Sequence, residues 1–396
     1  MGSLTFESTE TGSDNQSRFS RYSKRGGVLV VITVLVFLVV EGSASTVIAV
    51  YESVRGPVEP IASQYDSLLG WVNIPGLDLP DRWGPGRGVH TEAFGFRSTD
   101  DVSAEVTPGR IRLLCSGDSF AFGVGVGDED TWCHLLTRRN EILETVNLGQ
   151  PGYGIDQAYL RYARDGLLFD HTIHLFTFIG ADIYRIGQAA YNGYGKPAFR
   201  IEADSLVLDN VPVPRLPPAT ARLVRRLSER LRSVEFTRRA ARRLGLWAVP
   251  AATVSHGDLG RTAPVAAKIF RKVQHLAEEN GRLAVFVYLP GESEIDREGK
   301  WRVWTHAVMD SLDLSFIDLT PALREVGPDQ AARFFVPPED PGAAHYSVEG
   351  NVWVATTLYD KLCGLPAVAR KFAEPRDESD ERQPPPSEPP ESRCPS

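Results

Sequence analysis

A serine that follows an apolar run is the first residue of this sequence that could carry out chemistry. The run from Ile111 to Cys115 is typical of a buried parallel strand, and it stops at Gly117, two residues before Ser119. Open α/β sheets bind their ligands just past the carboxyl ends of such strands. A hydroxyl placed there is a nucleophile if a histidine lies beside it and takes its proton. The alternative is structural, because a Gly-Asp-Ser sequence also suits a turn that caps a helix.

The composition is that of a globular protein. The chain has 396 residues, of which 42% are hydrophobic and 24% are charged, enough for one large domain or two ordinary ones with a real core. A formal net charge of -8 argues against nucleic-acid binding. The four cysteines show no metal-like spacing, so we expect no metal site.

The amino-terminal region predicts an exported protein. Residues 1–25 lack an apolar period and are predicted to be a disordered cytoplasmic segment. The apolar stretch at 26–46 predicts a single transmembrane anchor, with its basic flank in the cytoplasm and the rest of the chain outside the cell membrane. A cleaved signal peptide is the alternative, since Gly42-Ser43-Ala44 is similar to a cleavage site. In either case, the exported Cys115 and Cys133 could form a disulfide bridge.

From residue 110 to residue 365, strands alternate with helices, after an irregular lead-in at 51–109 that is rich in Pro and Gly. Apolar strands separated by helices are typical of a parallel sheet that is covered on both faces. The predicted strands are Ile111–Cys115, Glu144–Leu148, Ile173–Ile179, Leu283–Leu289 and Leu314–Leu319. The predicted helices are Thr131–Glu141, Ile155–Leu168, Pro264–Glu279 and Ser347–Leu362.

An insertion at 185–261 separates the third strand from the fourth. It begins with a predicted β-hairpin, Ala198–Ile201 and Leu206–Leu208, and ends in an arginine-rich helix at 220–246. The basic face of that helix is either solvated or in contact with anionic lipid headgroups, which the predicted anchor would bring close. The chain closes with an acidic, Pro-rich tail at 374–396 that is predicted to be disordered.

Three short blocks resemble those of the SGNH (GDSL-like) hydrolases. The first is Gly117-Asp118-Ser119-Phe120 with Gly123, the second is Asn147-Leu148-Gly149-Gln150-Pro151-Gly152, and the last is His345 ahead of the final predicted helix. The resemblance extends over 110–362 apart from the insertion, and with the lead-in it points to an exported or membrane-anchored bacterial branch. It implies a three-layer α/β/α flavodoxin-like sandwich whose five parallel strands have the order 2-1-3-4-5.

The resemblance also implies roles for single residues. Ser119 is the expected nucleophile, His345 its base, and the backbone N–H groups of Ser119 and Gly152 hold the oxyanion. The family carries an aspartate three residues before the histidine, where this chain has Gly342. Asp340 is therefore our candidate for orienting the imidazole. A Ser–His dyad in which a backbone carbonyl takes that place is the alternative.

The third block departs from the family pattern. The family has an asparagine there as a third oxyanion donor, whereas this chain has Ala181 within Gly180-Ala181-Asp182. Removing one such donor costs about 3–4 kcal/mol of transition-state stabilisation elsewhere. Either Arg185 or Asn192 replaces the donor, or the protein is slow or inactive. The further candidates for the pocket are Asp118, Asn147, Ala181, Asp182 and Arg185.

The resemblance implies hydrolysis of O-acyl esters of an envelope lipid or glycan through an acyl-serine, without a metal or an organic cofactor. Two alternatives stay open: transfer of the same acyl group to a sugar hydroxyl, and an inactive module that binds an acylated glycan. The other histidines examined are expected to be structural rather than ligands: His134, His171, His174 and His256.

Overall fold

The computed structural model describes residues 28–43, 62–98, 101–191, 194–215 and 259–373. The chain divides into two units; 28–43 is the described part of the first, and all other described residues belong to the second. The predictions made for 1–25, 220–246, 374–396, Asn192 and His256 lie outside the described residues.

A five-stranded parallel sheet forms the centre of the second unit. The strands along the chain are β1 (Ser63–Asp66), β2 (Gly70–Asn73), β3 (Asp78–Leu79), β4 (Val89–His90), β5 (Ile111–Ser116), β6 (Leu143–Asn147), β7 (Ile173–Phe178), β8 (Ala190–Tyr191), β9 (Tyr194–Gly195), β10 (Ala198–Glu202), β11 (Ser205–Asp209), β12 (Leu283–Tyr288) and β13 (Phe316–Asp318). The sheet has the order β6-β5-β7-β12-β13, and every neighbouring pair is parallel. Counted among these five strands, the order is 2-1-3-4-5, which confirms the prediction.

Helices cover both faces of this sheet. The helices along the chain are α1 (28–43), α2 (Ser119–Phe122), α3 (Trp132–Leu135), α4 (Ile155–Arg164), α5 (Gly180–Arg185), α6 (Leu259–Glu279), α7 (Lys300–Ser311), α8 (Thr320–Glu325), α9 (Pro328–Arg333), α10 (Val348–Cys363) and α11 (Pro366–Ala373). Successive strand residues point to opposite faces. In β7, Leu175 therefore packs in one buried cluster with Trp132 and Leu358, while Phe176 packs in another with Phe270. Two apolar clusters on either side of one sheet make a three-layer α/β/α arrangement.

Some helices differ from the sequence pattern. The predicted helix Thr131–Glu141 has only one α turn, α3, and continues as a 3₁₀ turn at Leu136–Arg138. Helix α7 was not predicted, although Trp301 and Met309 are buried along one of its faces. Val303 is exposed on another face, so the apolar residues of this segment do not show a clear helical spacing in the sequence.

The one-turn helix α2, which begins at Ser119, is held at its carbonyl end by side chains from other segments. Trp132 Nε1 donates to the carbonyl of Phe120 at 2.9 Å, and Asn147 Nδ2 donates to the carbonyl of Ala121 at 2.9 Å. The last carbonyls of a helix have no partner within it. These bonds therefore fix a helix that is too short to be stable alone.

The lead-in supplies the remaining donor to this helix. Arg97 Nη1 donates to the carbonyls of Phe122 and Gly123 at 2.7 Å and 2.5 Å. Its Nε contacts Asp128 Oδ1 at 2.7 Å, so the buried guanidinium is paired with a carboxylate. The lead-in is thus joined to the core at the turn that carries Ser119.

The hairpin predicted in the insertion is present as β10 and β11, with antiparallel register from Ala198–Asp209 to Glu202–Ser205. A buried ion pair between Lys196 and Asp156 joins the segment before the hairpin to α4. Since an unpaired buried charge is costly, this pair ties the insertion to the core.

The described part of helix α1, 28–43, lies within the predicted anchor at 26–46. Its large apolar side chains, from Val28 to Val40, are exposed. Among the residues that the structure describes, no helix combines the length and the apolar character that crossing a membrane requires.

The disulfide bridge that the sequence allowed between Cys115 and Cys133 is not formed. Both cysteines are buried and free. Burial raises the pKa of the Cys115 thiol well above its usual value, and a hydrogen bond with Cys133 acts in the same direction. The two thiols are packed as apolar groups beneath the sheet and α3.

We expect Gly350→Ala to destabilise the segment that carries His345. A Cβ at Gly350 would lie 2.0 Å from the carbonyl oxygen of Phe334, a contact that only a backbone shift can relieve. The expected loss is about 1–3 kcal/mol in the free energy of unfolding, measured by urea denaturation. The matched control is Gly291→Ala, because nothing lies within 4 Å of a Cβ there. Equal stability of the two variants would contradict this account.

Candidate active site

Ser119 lies at the carboxyl end of β5, on the tight turn between that strand and α2. The turn requires a glycine at position 117, because a Cβ there would lie 2.5 Å from Thr177 Oγ1. Asp118 caps α2, and its Oδ1 accepts from the N–H of Phe120 at 2.8 Å. The Ser119 side chain is therefore held at the sheet edge by a constrained turn and a capped helix.

His345 reaches Ser119 from the other end of the chain. Its Nε2 lies 2.8 Å from Ser119 Oγ. The chain between α9 and α10 forms an antiparallel bridge, Phe335 to Tyr346, that leads the histidine back to the sheet. The two residues that the sequence proposed as nucleophile and base are thus in hydrogen-bond contact.

The group behind the imidazole is the backbone rather than a carboxylate. His345 Nδ1 lies 3.1 Å from the carbonyl oxygen of Gly342 and 3.2 Å from that of Ala343. Asp340 is exposed, and so is Glu339 before it. The prediction that Asp340 orients His345 is wrong. Tight turns at 340–345, with positive φ at Gly342 and Ala344, aim carbonyl groups at the ring and leave the carboxylate in solvent.

These contacts determine the protonation of His345. Burial lowers the pKa of the imidazole, and the negative charge of Asp118 and the two carbonyl hydrogen bonds oppose that effect without reversing it. The neutral ring must carry its proton on Nδ1, because carbonyl oxygens only accept hydrogen bonds. Nε2 is then free to accept the hydroxyl proton of Ser119, which is the arrangement of a general base.

A buried cluster of one arginine and two carboxylates lies beside the dyad. Arg185 Nη1 is 3.2 Å from Asp118 Oδ2 and 2.8 Å from the carbonyl oxygen of Tyr153, and it also contacts Asp182. Burial raises the pKa of Asp182 well above its usual value, and the charge of Asp118 acts in the same direction. Asp182 also accepts from the N–H of Ile179 at 3.0 Å. Its place is thus beneath Arg185 rather than against Ser119.

The second sequence block, Asn147 to Gly152, lies against helix α2. Gly149 N donates to Asn147 Oδ1 at 2.9 Å, and a Cβ at Gly149 would lie 2.2 Å from the N atom of Phe122. Asn147 therefore supports the loop and α2, and its amide is occupied by them. Gly152, at φ +86°, lines the cavity in front of Ser119.

The cavity in front of the dyad has a volume of about 310 Å³, at the lower end of the roughly 300–1,000 Å³ typical of ligand sites. It is lined by Ala62, Ser63, Arg82, Trp83, Val89, Ser119, Phe122, Val124, Pro151, Gly152, Arg185, Tyr191 and His345. The sequence indicated Ser119, Gly152, Arg185 and His345, and placed Ala181 and Asp182 among the candidates for this wall, which they do not line. It missed the wall made by the lead-in, because no periodic pattern marks Arg82 and Trp83.

Tyr153, His171 and His174 have structural surroundings, as expected for the two histidines. Tyr153 is buried, and its hydroxyl donates to the carbonyl of Trp71 at 2.6 Å. His174 is buried within β7 and contacts Ser116 Oγ at 2.6 Å. His171 is buried too and contacts the hydroxyl of Tyr162. None of these side chains lines the cavity.

No family model matches the chain, and no curated protein matches it. Several solved structures do match the chain. One is a member of the lipolytic protein G-D-S-L family from Veillonella parvula, with 12% identity, a TM-score of 0.35, and coverage of 63% of this chain and 98% of that one. Another is a lipase/acylhydrolase from Enterococcus faecalis, with 13% identity, a TM-score of 0.36, and coverage of 64% and 96%. A third is an acetylxylan esterase from Geobacillus stearothermophilus, with 12% identity, a TM-score of 0.35, and coverage of 64% and 94%.

Identities of 12–13% and TM-scores of 0.35–0.36 are too low for a function to be carried over from these structures. The chemistry of this chain therefore has to follow from its own atoms. Those atoms are the buried dyad, the cavity before it and the arginine cluster beside it.

We expect the activity on an ester to rise with pH and to level off early. His345 must be neutral to accept a proton, and its lowered pKa places the midpoint of the acid limb below 6.5, the ordinary value for histidine. In Asp118→Asn, the amide oxygen still caps α2 while a charge that raises the His345 pKa is lost. The limb should then move to still lower pH. Profiles of kcat/KM against pH for both proteins measure this, and a shift to higher pH would refute it.

Proposed function

We propose that this protein is a serine ester hydrolase of the SGNH type, which cleaves O-acyl esters through an acyl-serine on Ser119. The observation that carries the proposal is the 2.8 Å contact between Ser119 Oγ and His345 Nε2 at the wall of a cavity. A serine hydroxyl is a weak nucleophile unless a base takes its proton. The lowered pKa of His345 supports that role, because it keeps the ring neutral near pH 7.

In the first half of the reaction, Ser119 Oγ bonds to the ester carbonyl carbon while its proton moves to His345 Nε2. The carbonyl oxygen becomes an oxyanion next to the amides of Ser119 and Gly152. Neither amide donates a hydrogen bond within the described part of the chain, so both are available to it. The C–O bond to the alcohol then breaks, and His345 returns the proton to the leaving oxygen.

In the second half, water replaces the alcohol. His345 takes a proton from the water as its oxygen bonds to the acyl carbon, and the carboxylic acid leaves as the proton returns to Ser119 Oγ. The carbonyls of Gly342 and Ala343 hold the ring in one orientation through both halves. They also stabilise the transient imidazolium, as a buried carboxylate does in a triad, but with partial charges only.

Arg185 is our proposal for the third oxyanion donor, in place of the asparagine that the family carries at Ala181. It lines the same cavity as Ser119 and Gly152. Its Nη1 is bound to Asp118, Tyr153 and Asp182, whereas its Nη2 has no hydrogen-bond acceptor among the described residues. A guanidinium held by buried carboxylates is a preorganised donor, the property that oxyanion stabilisation requires.

Arg185→Gln should lower kcat for an aryl acetate by about a hundred- to a thousandfold, the effect of removing one oxyanion donor. Arg185→Lys should retain more activity than Arg185→Gln, because lysine preserves the charge. It should retain less than the unsubstituted protein, because lysine lacks the second N–H group. Since Arg185 also pairs with Asp118 and Asp182, the folded fraction of each variant is measured by thermal denaturation. A drop in kcat that only follows the folded fraction would exclude Arg185 from the oxyanion site.

The nucleophile itself is tested with a fluorophosphonate probe and with p-nitrophenyl acetate. We expect the full chain to be labelled at Ser119 and to release nitrophenolate. Ser119→Ala should abolish the labelling and reduce hydrolysis to background. The matched control is Ser63→Ala, because Ser63 lines the same cavity but its hydroxyl binds Gln150 Nε2, at 3.2 Å. Labelling that survives in Ser119→Ala would overturn the proposal.

We further propose that the enzyme acts outside the cytoplasm, at the cell membrane. The basic flank before the apolar stretch at 26–46 and the exposed apolar side chains of α1 support this. Membrane fractionation of the full chain checks it: the protein should remain with the membranes in carbonate and leave them in detergent. Recovery in the soluble fraction at its full length would argue against an anchor.

A further inference from the structure

Two cationic side chains line the cavity in front of Ser119 and His345. The lining includes Arg82 and Arg185 and contains no aspartate or glutamate from the described residues. Arg185 is neutralised from behind by Asp118 and Asp182. Arg82 is different, because its guanidinium has no carboxylate within salt-bridge distance in the ranges that the structure describes.

Three carboxylates around the lead-in have partners other than Arg82. Asp81 Oδ1 accepts from the N–H of Gly86 at 2.7 Å. Asp78 contacts His90 at 2.9 Å. Asp128 is bound to Arg97 and His90. A charge that its surroundings leave uncompensated at the wall of a concave site is suited to an anionic ligand.

Aromatic side chains accompany both arginines. The Arg82 guanidinium lies 4.6 Å from the ring centroid of Trp83, and that of Arg185 lies 5.1 Å from the ring of Tyr191. Trp83 and Tyr191 also line the cavity. An aromatic face at the cavity wall suits a ring that has apolar faces, as a sugar has.

We propose that the ester is carried by a sugar that also bears an anionic group, a carboxylate or a phosphate, and that Arg82 binds that group while Trp83 contacts the ring. This inference rests on the proposed function, since it assigns the substrate class of the same site. The anion binds Arg82 at the wall that the lead-in forms. The acyl carbonyl lies between Ser119, Gly152 and Arg185. Arg82 acts as a specificity residue and takes no part in bond formation.

The test compares substrates that differ in one group. They are methyl glucoside, methyl glucuronoside and methyl glucoside 6-phosphate, each with one O-acetyl group at the same position, and acetate release by the full chain is measured. We expect kcat/KM to be higher for the two anionic esters than for the neutral one. The better of the two identifies the anion as carboxylate or phosphate.

Arg82→Gln should lower the ratio of kcat/KM between anionic and neutral esters on the order of ten- to a hundredfold, mainly through KM, because a charge-assisted hydrogen bond is lost. Arg82→Lys should restore part of that ratio. Arg87→Gln is the matched control, since Arg87 is exposed on the same turn but does not line the cavity. An unchanged ratio in Arg82→Gln, or a wild-type preference for the neutral ester, would overturn the inference.

Failure of the inference and failure of the proposed function give different results. If nitrophenolate release depends on Ser119 but the sugar esters show no charge preference, only the substrate class is wrong. If Ser119 is neither labelled nor needed for hydrolysis, the proposed function itself is wrong. In that case, calorimetric titration of Ser119→Ala with the same three esters still tests the anion site, because it measures binding without turnover. Equal affinity for all three would refute it.

Discussion

The structure depends on the carbonyl end of the one-turn helix that carries Ser119. A single turn cannot satisfy its own last carbonyls, and here Trp132, Asn147 and Arg97 donate to them from three separate segments. These bonds join the end of strand β6, helix α3 and the lead-in to one short stretch of backbone. Ser119 is therefore fixed only when all three segments are in place, so its position depends on the whole fold rather than on its local sequence.

Peptide groups orient His345, and burial sets the direction in which its pKa is shifted. A carboxylate behind an imidazole raises its pKa, whereas the carbonyls of Gly342 and Ala343 offer only partial charges. The net effect at His345 is a lowered pKa, with burial as its largest cause. A neutral ring at moderate pH fits the role proposed for His345, and the turn at 340–345 supplies backbone carbonyls rather than a carboxylate behind it.

Charge is arranged in layers around the cavity. Asp118 and Asp182 are buried behind Arg185, so the side that faces a ligand is positive while the interior is compensated. The two carboxylates share one cation there, and the pKa of Asp182 is raised first by burial and then by the charge of Asp118. Arg97 with Asp128 and Lys196 with Asp156 repeat the pattern where the lead-in and the insertion meet the core. Each added segment thus brings a buried ion pair that would be costly to break.

The sequence alone determined the parallel five-stranded sheet, because near-continuous apolar strands that alternate with helices bury both faces of a sheet. It also indicated Ser119 at the carboxyl end of a strand, and the resemblance of its short blocks to a known family implied Gly152 and His345. Only the tertiary structure decided what stands behind His345, because a turn at 340–345 can present either Asp340 or its own carbonyls, and spacing does not distinguish them. It alone brought Arg82 and Trp83 to the cavity, since irregular segments lack the periodicity from which position can be inferred.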